Sequence, residues 1–461
     1  MKLAGTGFLA VPLILAMTVG LAAPVWLRAA DPAPTANETA LVPRRVTLAE
    51  AIAEARDNNL MLKAARREVD VSRGKLKEAR SYFLPNLNFY ETFSRTDNPV
   101  YVFMSKLTQQ RFGMMDFAID SLNGPPPLNN YSSKFEVTLP LFTGGKVTSG
   151  YRAAKMGTEA AQNKSTFAES TVTKAVTESF YGCLLAERAV AVMKETVKTA
   201  ESHLKQVKAM HGQGLVLDSD LLRIRVFVAD MKQKEVEREA DAEVARAYLA
   251  YAMGTGGTVS PDGDFSPPSA PLPAFEEARL EALKQRGDVV ATTLKAGQAG
   301  EGVKMTRADY LPQVGLVAAW EQDTERWTPE TRGDNWMVGV QLKLPLFDGG
   351  ARAGRLQAAR GREFQARQVL LDLQQKVSLE VRSALLRAKA AAKAVEVTSD
   401  SERQARENLR IVSLRYKEGL ASITDLLDAD TALTAASLAR AKSIHDELVE
   451  RARLDWAMGR K

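Results

Sequence analysis

Few side chains in this chain of 461 residues carry the usual tools of catalysis or metal binding. There are three histidines, His203, His211 and His445, and one cysteine, Cys183. None of the histidines stands in the HExxH spacing that puts two imidazoles on one helical face, and Cys183 falls within a helical pattern. GGKVTSG, beginning at Gly144, lacks the Gly-Lys-Ser/Thr order of a phosphate loop, because Val147 stands at the hydroxyl position. GTGGT, beginning at Gly254, reads as a flexible turn. No nucleophile–base set emerges, so the sequence predicts neither an enzyme nor a cofactor or metal site. One acidic pair remains. Asp425 and Asp428, in ITDLLDAD, lie at i and i+3 on one helical face. Multiplied by symmetry they would ring a pore; alone they are two solvated carboxylates favoured by a helix N-terminus.

The elements that would position that pair show themselves through repetition. LPLFTGG (139–145) returns as LPLFDGG (344–350), and HGQGLVLDSDLL (211–222) returns as YKEGLASITDLL (416–427), both 205 positions later. Upstream, SYFLPNLNF (81–89) matches ADYLPQVGL (308–316) at an offset of 227, which requires a 22-residue insertion in the first copy, in the loop holding NGPPPLNN. The chain is therefore a tandem duplication. The first copy spans 46–254, with a β-hairpin over 84–142, a long helix over 146–211 and a second helix over 218–254. The second spans 275–461, with a hairpin over 310–347, a long helix over 351–416 and a second helix over 422–459. A Gly-, Pro- and Ser-rich linker, 255–274, separates them.

Within each hairpin apolar and polar residues alternate. Leu87, Phe89 and Phe93 share one side, as do Phe135, Val137 and Leu139; the second copy does the same with Val314, Leu316, Ala318 and Trp320, and with Val338, Val340, Leu342 and Leu344. Strands of about ten residues with this period suit a tilted crossing of an outer membrane. A soluble sheet with one wet face has the same period. Four strands cannot close a barrel, so the membrane reading requires several copies to share one. Each long helix would reach about 100 Å at 1.5 Å per residue, which implies an elongated helical assembly. Gly214 and Gly419 end these helices. Asp218 or Ser219, and Ser422 or Thr424, are then available to cap the helices that return. At the other end Pro140, Gly144 and Gly145, with their counterparts Pro345, Gly349 and Gly350, read as joints where a strand stops and a helix begins, assisted by Thr143 and Asp348 as caps.

The chain opens on Lys2 and the apolar run FLAVPLILAMTVGLAA (8–23), which reads as a secretory leader within 1–30, with a flexible segment over 31–45; an N-terminal membrane anchor is the alternative. No later stretch is apolar enough for a membrane helix. Lys and Arg number 62 against 56 Asp and Glu, interspersed rather than clustered, so no nucleic-acid partner is expected. A single cysteine excludes an intramolecular disulfide, and none lies near the leader's end to carry lipid.

The LPLF(T/D)GG pair, the FLP and YLP strand starts and YKEGLASITDLLDA together resemble the TolC-like outer membrane efflux protein family, over essentially the whole mature chain. The resemblance implies an α+β membrane protein. Three chains would form a twelve-stranded outer-membrane β-barrel, four strands per chain, continued by a long α-helical barrel through the periplasm of a Gram-negative bacterium. It implies a passive exit duct for small molecules such as drugs, toxic compounds or metal ions, working with a periplasmic adaptor and an inner-membrane transporter of RND or ABC type. A type I protein-secretion duct shares the architecture. A periplasmic adaptor or a soluble coiled-coil protein is the reading from another class. By the same resemblance Gly214, Leu215, Gly419 and Leu420 meet the adaptor, Asp425 and Asp428 line the closed entrance, and Tyr416 with Asp220 tether inner to outer helices. Ala421 stands where the family's best-known member has an arginine of that tether.

Overall fold

The structure, a computed structural model, describes residues 44–328 and 332–460. In chain order its elements are β1 (Arg44–Val46), α1 (Leu48–Asn58), α2 (Leu60–Ser81), β2 (Asn86–Thr96), α3 (Pro99–Thr108), one 3-10 turn (Met114–Phe117), α4 (Ile119–Asn123), β3 (Leu128–Phe142), α5 (Lys146–Gly212) and α6 (Asp218–Met253). Next come β4 (Val259–Pro261), α7 (Phe275–Gln285), α8 (Gly287–Ala308), β5 (Gln313–Thr324), β6 (Asp334–Lys343), α9 (Ala351–Lys417) and α10 (Ile423–Met458). The leader expected over 1–30, and most of 31–45, lie outside the described residues. Among those described, no helix is long and apolar enough to cross a membrane.

Two expectations need correction. Arg44 and Arg45 are not loose: β1 pairs in parallel with β4, which lies inside the stretch read as linker. The loop between β2 and β3, read as the connection that holds NGPPPLNN, carries helices of its own. It folds as α3, a 3-10 turn and α4 around Phe103, Phe112 and Phe117, whose ring centroids lie 4.7 and 5.0 Å apart in sequence order. Lys106 Nζ pairs with Asp116 Oδ1 at 2.6 Å. Buried Gln109 fastens this insert to the sheet by donating to the Asn129 carbonyl at 2.9 Å.

β2, β3, β5 and β6 form one antiparallel sheet in that order. Residues paired across an antiparallel ladder point to the same face. The register therefore builds apolar rows across all four strands: Phe89–Phe135–Trp320–Trp336 and Leu87–Val137–Ala318–Val338. The other face carries Asn88, Glu136, Tyr90, Lys134 and Glu321 in the intervening rows. The apolar rows are bare in this chain, with Trp336 78 % exposed. Both outer edges, those of β2 and β6, lack a partner strand among the described residues.

The helices leave the same two sides open. α8 packs between α5 and α9, and α10 between α5 and α9 further along, whereas α2 and α6 rest chiefly on α5. One open side thus carries β2, α2 and α6, and the other carries β6 and α9. Burial of apolar residues divides into three main clusters. Val176, Phe180, Leu249 and Met253 anchor one with Ala51 and Ala55. Val381, Leu385, Leu454 and Met458 anchor a second with Ala278 and Ala282. Position by position these stand 205 apart on the long and return helices, and 227 apart on α1 and α7. The third cluster, around Ile224, Val228, Tyr416, Ile423 and Leu426, is shared by both halves at the glycine turns.

The helical stretch before each hairpin is broken once, between α1 and α2 at Asn59 and between α7 and α8 at Arg286. The causes differ. Asn59 caps α2, its Oδ1 accepting from the Met61 and Leu62 amides at 3.0 and 3.2 Å. Its Nδ2 donates to the Ala252 carbonyl at 3.1 Å. Arg286, 2 % exposed, bonds Glu380 at 2.6 Å and Asp288 at 2.8 Å, with the Phe167 and Trp456 rings 5.4 and 5.1 Å from its guanidinium.

Candidate functional site

The two turns between long helix and return helix are built alike. Gly214 has φ 74° and Gly419 φ 73°, a region in which a side chain would clash with its own backbone. The Leu215 amide donates to the Met210 carbonyl at 3.0 Å and the Leu420 amide to the Arg415 carbonyl at 2.8 Å. These six-to-one bonds close each helix and leave Leu215 and Leu420 pointing outward, both well exposed.

The return helices begin differently. α10 starts on Ser422, whose hydroxyl accepts from the Asp425 amide at 3.1 Å, while Asp425 Oδ2 accepts from the Ser422 amide at 2.9 Å. This capping box, with the Ser422 hydroxyl as a further donor, holds the Asp425 carboxyl below the ordinary carboxylate range. Of the expected caps, then, Ser422 serves and Thr424 does not. α6 starts on Leu217, which offers no cap. Asp218 instead lies inside α6 and meets His211 Nε2 at 2.6 Å. Ser219 makes no cap.

Asp425 and Asp428 are both exposed on the first turns of α10. Tyr416 is 4 % exposed within the shared tip cluster. Burial, and next the nearby charge of Asp220, push its phenol upward, yet its hydroxyl has no hydrogen-bond partner. No hydrogen bond joins the Tyr416 hydroxyl to Asp220 in this chain. Ala421 packs partly buried against the same cluster. A link that sequence reasoning missed crosses the turns nearby: Arg223 of α6 donates to the Thr424 hydroxyl of α10. An arginine on a charged helix face gives no sign in sequence of which neighbour it will reach.

At the opposite end the strand-to-helix joints are formed by tandem left-handed glycines. Gly144 and Gly145 have φ 62° and 85°, and Gly349 and Gly350 have 63° and 88°. The Val147 amide donates to the Thr143 hydroxyl at 3.3 Å and the Arg352 amide to Asp348 Oδ2 at 2.9 Å, so both expected side chains satisfy an end amide. The prolines do not both stop their strands. β3 runs through Pro140 to Phe142, with a bulge in its ladder to β5, because Pro140 lies past the last pair with β2. β6 ends at Lys343, two residues before Pro345.

The first joint is covered and the second is bare. A side chain on Gly144 would come within 2.8 Å of Leu311, whereas around Gly349 the space is open. Phe347 is 88 % exposed beside it. Elsewhere, burial pushes the Cys183 thiol up to about 12, with the Glu187 charge acting the same way, so no reactive thiolate forms.

The outer membrane efflux protein family model matches residues 51–255 and 279–460. Among curated relatives, the outer membrane efflux protein BepC of Brucella suis biovar 1 (strain 1330) is 28 % identical over 288 residues, 60 % of this chain and 59 % of BepC. The alkaline protease secretion protein AprF of Pseudomonas aeruginosa is 26 % identical over 62 % of this chain and 60 % of its own. The chain thus aligns with about three fifths of the length of these relatives. Its fold is that of the channel protein CusC, with a TM-score of 0.79 at 18 % identity, over 90 % of this chain and 92 % of that one. The outer membrane protein VceC from Vibrio cholerae gives a TM-score of 0.76 at 17 % identity, over 89 % and 96 %. A bare apolar face on a four-stranded sheet, two 67-residue helices and glycine turns at their far ends accord with these likenesses: the chain belongs to the outer membrane efflux protein family, of the TolC type, and lies in the outer membrane, extending into the periplasm.

Proposed function

We propose that this protein is the outer-membrane exit duct of a tripartite efflux pump, working as a homotrimer that conducts small molecules passively. The observation that carries this reading is the agreement of open edges. In lipid an unpaired strand edge is untenable, so β2 and β6 each need a partner. β2 of one copy pairing with β6 of the next, three times, gives twelve strands. The same step sets α2 and α6 against a neighbouring α9. It also covers the bare second joint, Pro345, Gly349 and Gly350 with Phe347, as Leu311 and the end of α8 at Ala308 cover Gly144 within one chain. The tandem duplication explains why one contact recurs within and between copies.

In this reading the apolar rows face lipid and the polar rows line a water-filled lumen. Asp425 and Asp428 form acidic rings at the periplasmic entrance, while Tyr416 and Asp220 hold inner to outer helices. Gly214, Leu215, Gly419 and Leu420 present the turns to a periplasmic adaptor, which couples the duct to an inner-membrane transporter of RND or ABC type. Transport involves no chemistry on the cargo. CzcC of Cupriavidus metallidurans, 23 % identical over 66 % of this chain, is named for cobalt, zinc and cadmium resistance, which supports metal ions among the candidate cargoes. AprF is named for protease secretion, which supports a protein-secretion duct as the second reading. The adaptor and coiled-coil readings lack a use for the four-stranded sheet.

Outer-membrane fractionation followed by a chemical cross-linking ladder tests the proposal. A trimer in the outer-membrane fraction is expected; a monomer or dimer in the soluble periplasm would reject it. Neutralising Asp425 and Asp428 together should change the cation selectivity of single-channel conductance, and an unchanged selectivity removes them from the constriction.

A further inference from the structure

One buried ionisable group has no part in conduction or docking as proposed above. Asp430 lies two turns into α10, where that helix is held between α5 and α9, and it is 2 % exposed. Its Oδ2 is buried without a hydrogen-bond partner. The nearby hydroxyls are committed elsewhere. Thr434 Oγ1 bonds the Asp430 backbone carbonyl at 2.9 Å, Thr196 Oγ1 bonds the Val192 carbonyl at 3.0 Å, and the two hydroxyls lie 3.0 Å apart.

Beside it runs a cavity of about 690 Å³ lined by α5, α9 and α10 and by Phe265 from the segment after β4. The charged groups on its wall are Arg188 and Glu195 from α5, Glu402 and Arg406 from α9, and Arg440 from α10. α6 contributes none to the wall. Glu402 takes up the available donors, accepting from Arg440 at 2.8 Å and from Ser437 and Arg406 at 3.0 Å each. Burial opposes its charge, but those bonds hold its carboxyl below the usual range. Asp430 receives none of this help, and burial alone pushes its carboxyl up to about 6. The first half has no counterpart: 205 positions earlier stands Arg225, exposed on α6.

A lone carboxyl of this kind sits one turn beyond Leu426 and Leu427, which belong to the cluster joining the two turns. We propose that Asp430 is a proton-controlled latch: protonated, it lets α5, α9 and α10 pack and draws the two turns together; ionised, it admits water from the cavity and lets them part. This rests on the duct reading only in taking the turns as the periplasmic entrance.

Linkage gives the sign. The packed junction holds the proton more tightly than an opened one, where an aspartate titrates near its ordinary value of about 3.9. Packing is therefore fully favoured below about pH 4 and loses that advantage as pH rises to about 6. The change in the packed-to-open ratio is at most about 100-fold per subunit.

Spin labels at Gln213→Cys and Glu418→Cys, in a Cys183→Ser background of the full-length assembly, read the separation of the turns. We expect it to lengthen between pH 4.5 and 7 in otherwise unaltered protein and to stay short throughout in Asp430→Asn. Asp430→Ser, which is also neutral, should behave as Asp430→Asn and serves if the latter fails to fold. No lengthening in the unaltered background, or equal lengthening in the neutral variants, overturns the latch. Conductance in planar bilayers, recorded in parallel, separates the two readings. Distances that respond in a protein that never conducts refute the duct and keep the latch; conductance with unresponsive distances does the reverse.

Discussion

The two halves of this chain share their cores and differ at their ends. Val176, Phe180, Leu249 and Met253 have counterparts of like size in Val381, Leu385, Leu454 and Met458. The helix breaks share no such chemistry: Asn59 is a neutral cap, whereas Arg286 is a buried cation between two carboxylates and two aromatic rings. The far turns differ again, one leading into a capping box at Ser422 and the other into uncapped Leu217. Packing explains the division. α10 is flanked by both long helices, while α6 leans on one and exposes its other side. Positions inside a shared core are held to one shape; positions facing a different neighbour in each half are free to diverge.

The largest test of that difference is at the breaks. Arg286→Ala leaves Glu380 and Asp288 without their cation and removes the contact over Trp456. We expect a loss of about 3 kcal/mol, the low end for breaking a buried pair, since Glu380 keeps access to water. Asn59→Ala removes only a cap and an amide bond, about 1 kcal/mol. Thermal melting of the purified assembly, with both variants side by side, checks the ratio. Equal losses would mean that the two breaks do the same job after all.

Next in size is the link across the turns. Arg223→Ala removes the donor to Thr424, an exposed charged bond of about 1 kcal/mol, and should raise resting conductance about fivefold. Ala421, expected to weaken the tether, would then matter less than the arginine on the opposite helix. Unchanged resting conductance would show that Arg223 restrains nothing.

The pH behaviour of α10 separates two carboxyls only five residues apart. Asp425 is held below its ordinary value by the capping box, so its contribution is present above about pH 4 and is lost as pH falls through the lowered value. Asp430 has the opposite sign. Fraying of the first turn of α10, monitored by amide exchange at Asp425, should therefore begin only in strong acid, well below the range in which the junction around Asp430 responds. Fraying that begins near pH 6 would contradict the assignment of the two signs.

Much of this was legible in the chain itself. Period-two runs such as Val338–Val340–Leu342 declare their faces, and Gly-Gly after LPLF declares a backbone turn, because alternation and positive φ are local requirements. The insert helix α3 was hidden in a loop, since its apolar residues pack on one another and on the strand ends instead of following a long periodic face. Asp430 was hidden for a different reason. ITDLLDAD reads as three similar acids, and which of them turns inward depends on the angle at which α10 sits between α5 and α9. That is a tertiary fact. Arg286 likewise gives no sign in sequence that Phe167 and Trp456 will enclose it.

The smallest effect is the one that tests the comparison most directly. Leu217 stands 205 positions before Ser422, and Asp220 stands 205 before Asp425, so a single change, Leu217→Ser, supplies α6 with the missing half of a capping box. Leu217 already has the extended backbone of a cap, at φ −80° and ψ 158°, close to the −82° and 161° of Ser422, and its side chain is largely exposed. A serine hydroxyl there would accept from the Asp220 amide while Asp220 turns back to the residue-217 amide, worth about 1 kcal/mol locally. Amide exchange at Asp220 should slow about fivefold. The same turn draws the Asp220 carboxylate away from the buried Tyr416 phenol, so that residue should ionise at lower pH in the variant. Slower exchange without any change at Tyr416 would mean that Asp220 acts on the phenol from too far away to serve as a tether, and that Arg223 supplies the polar link between the two turns.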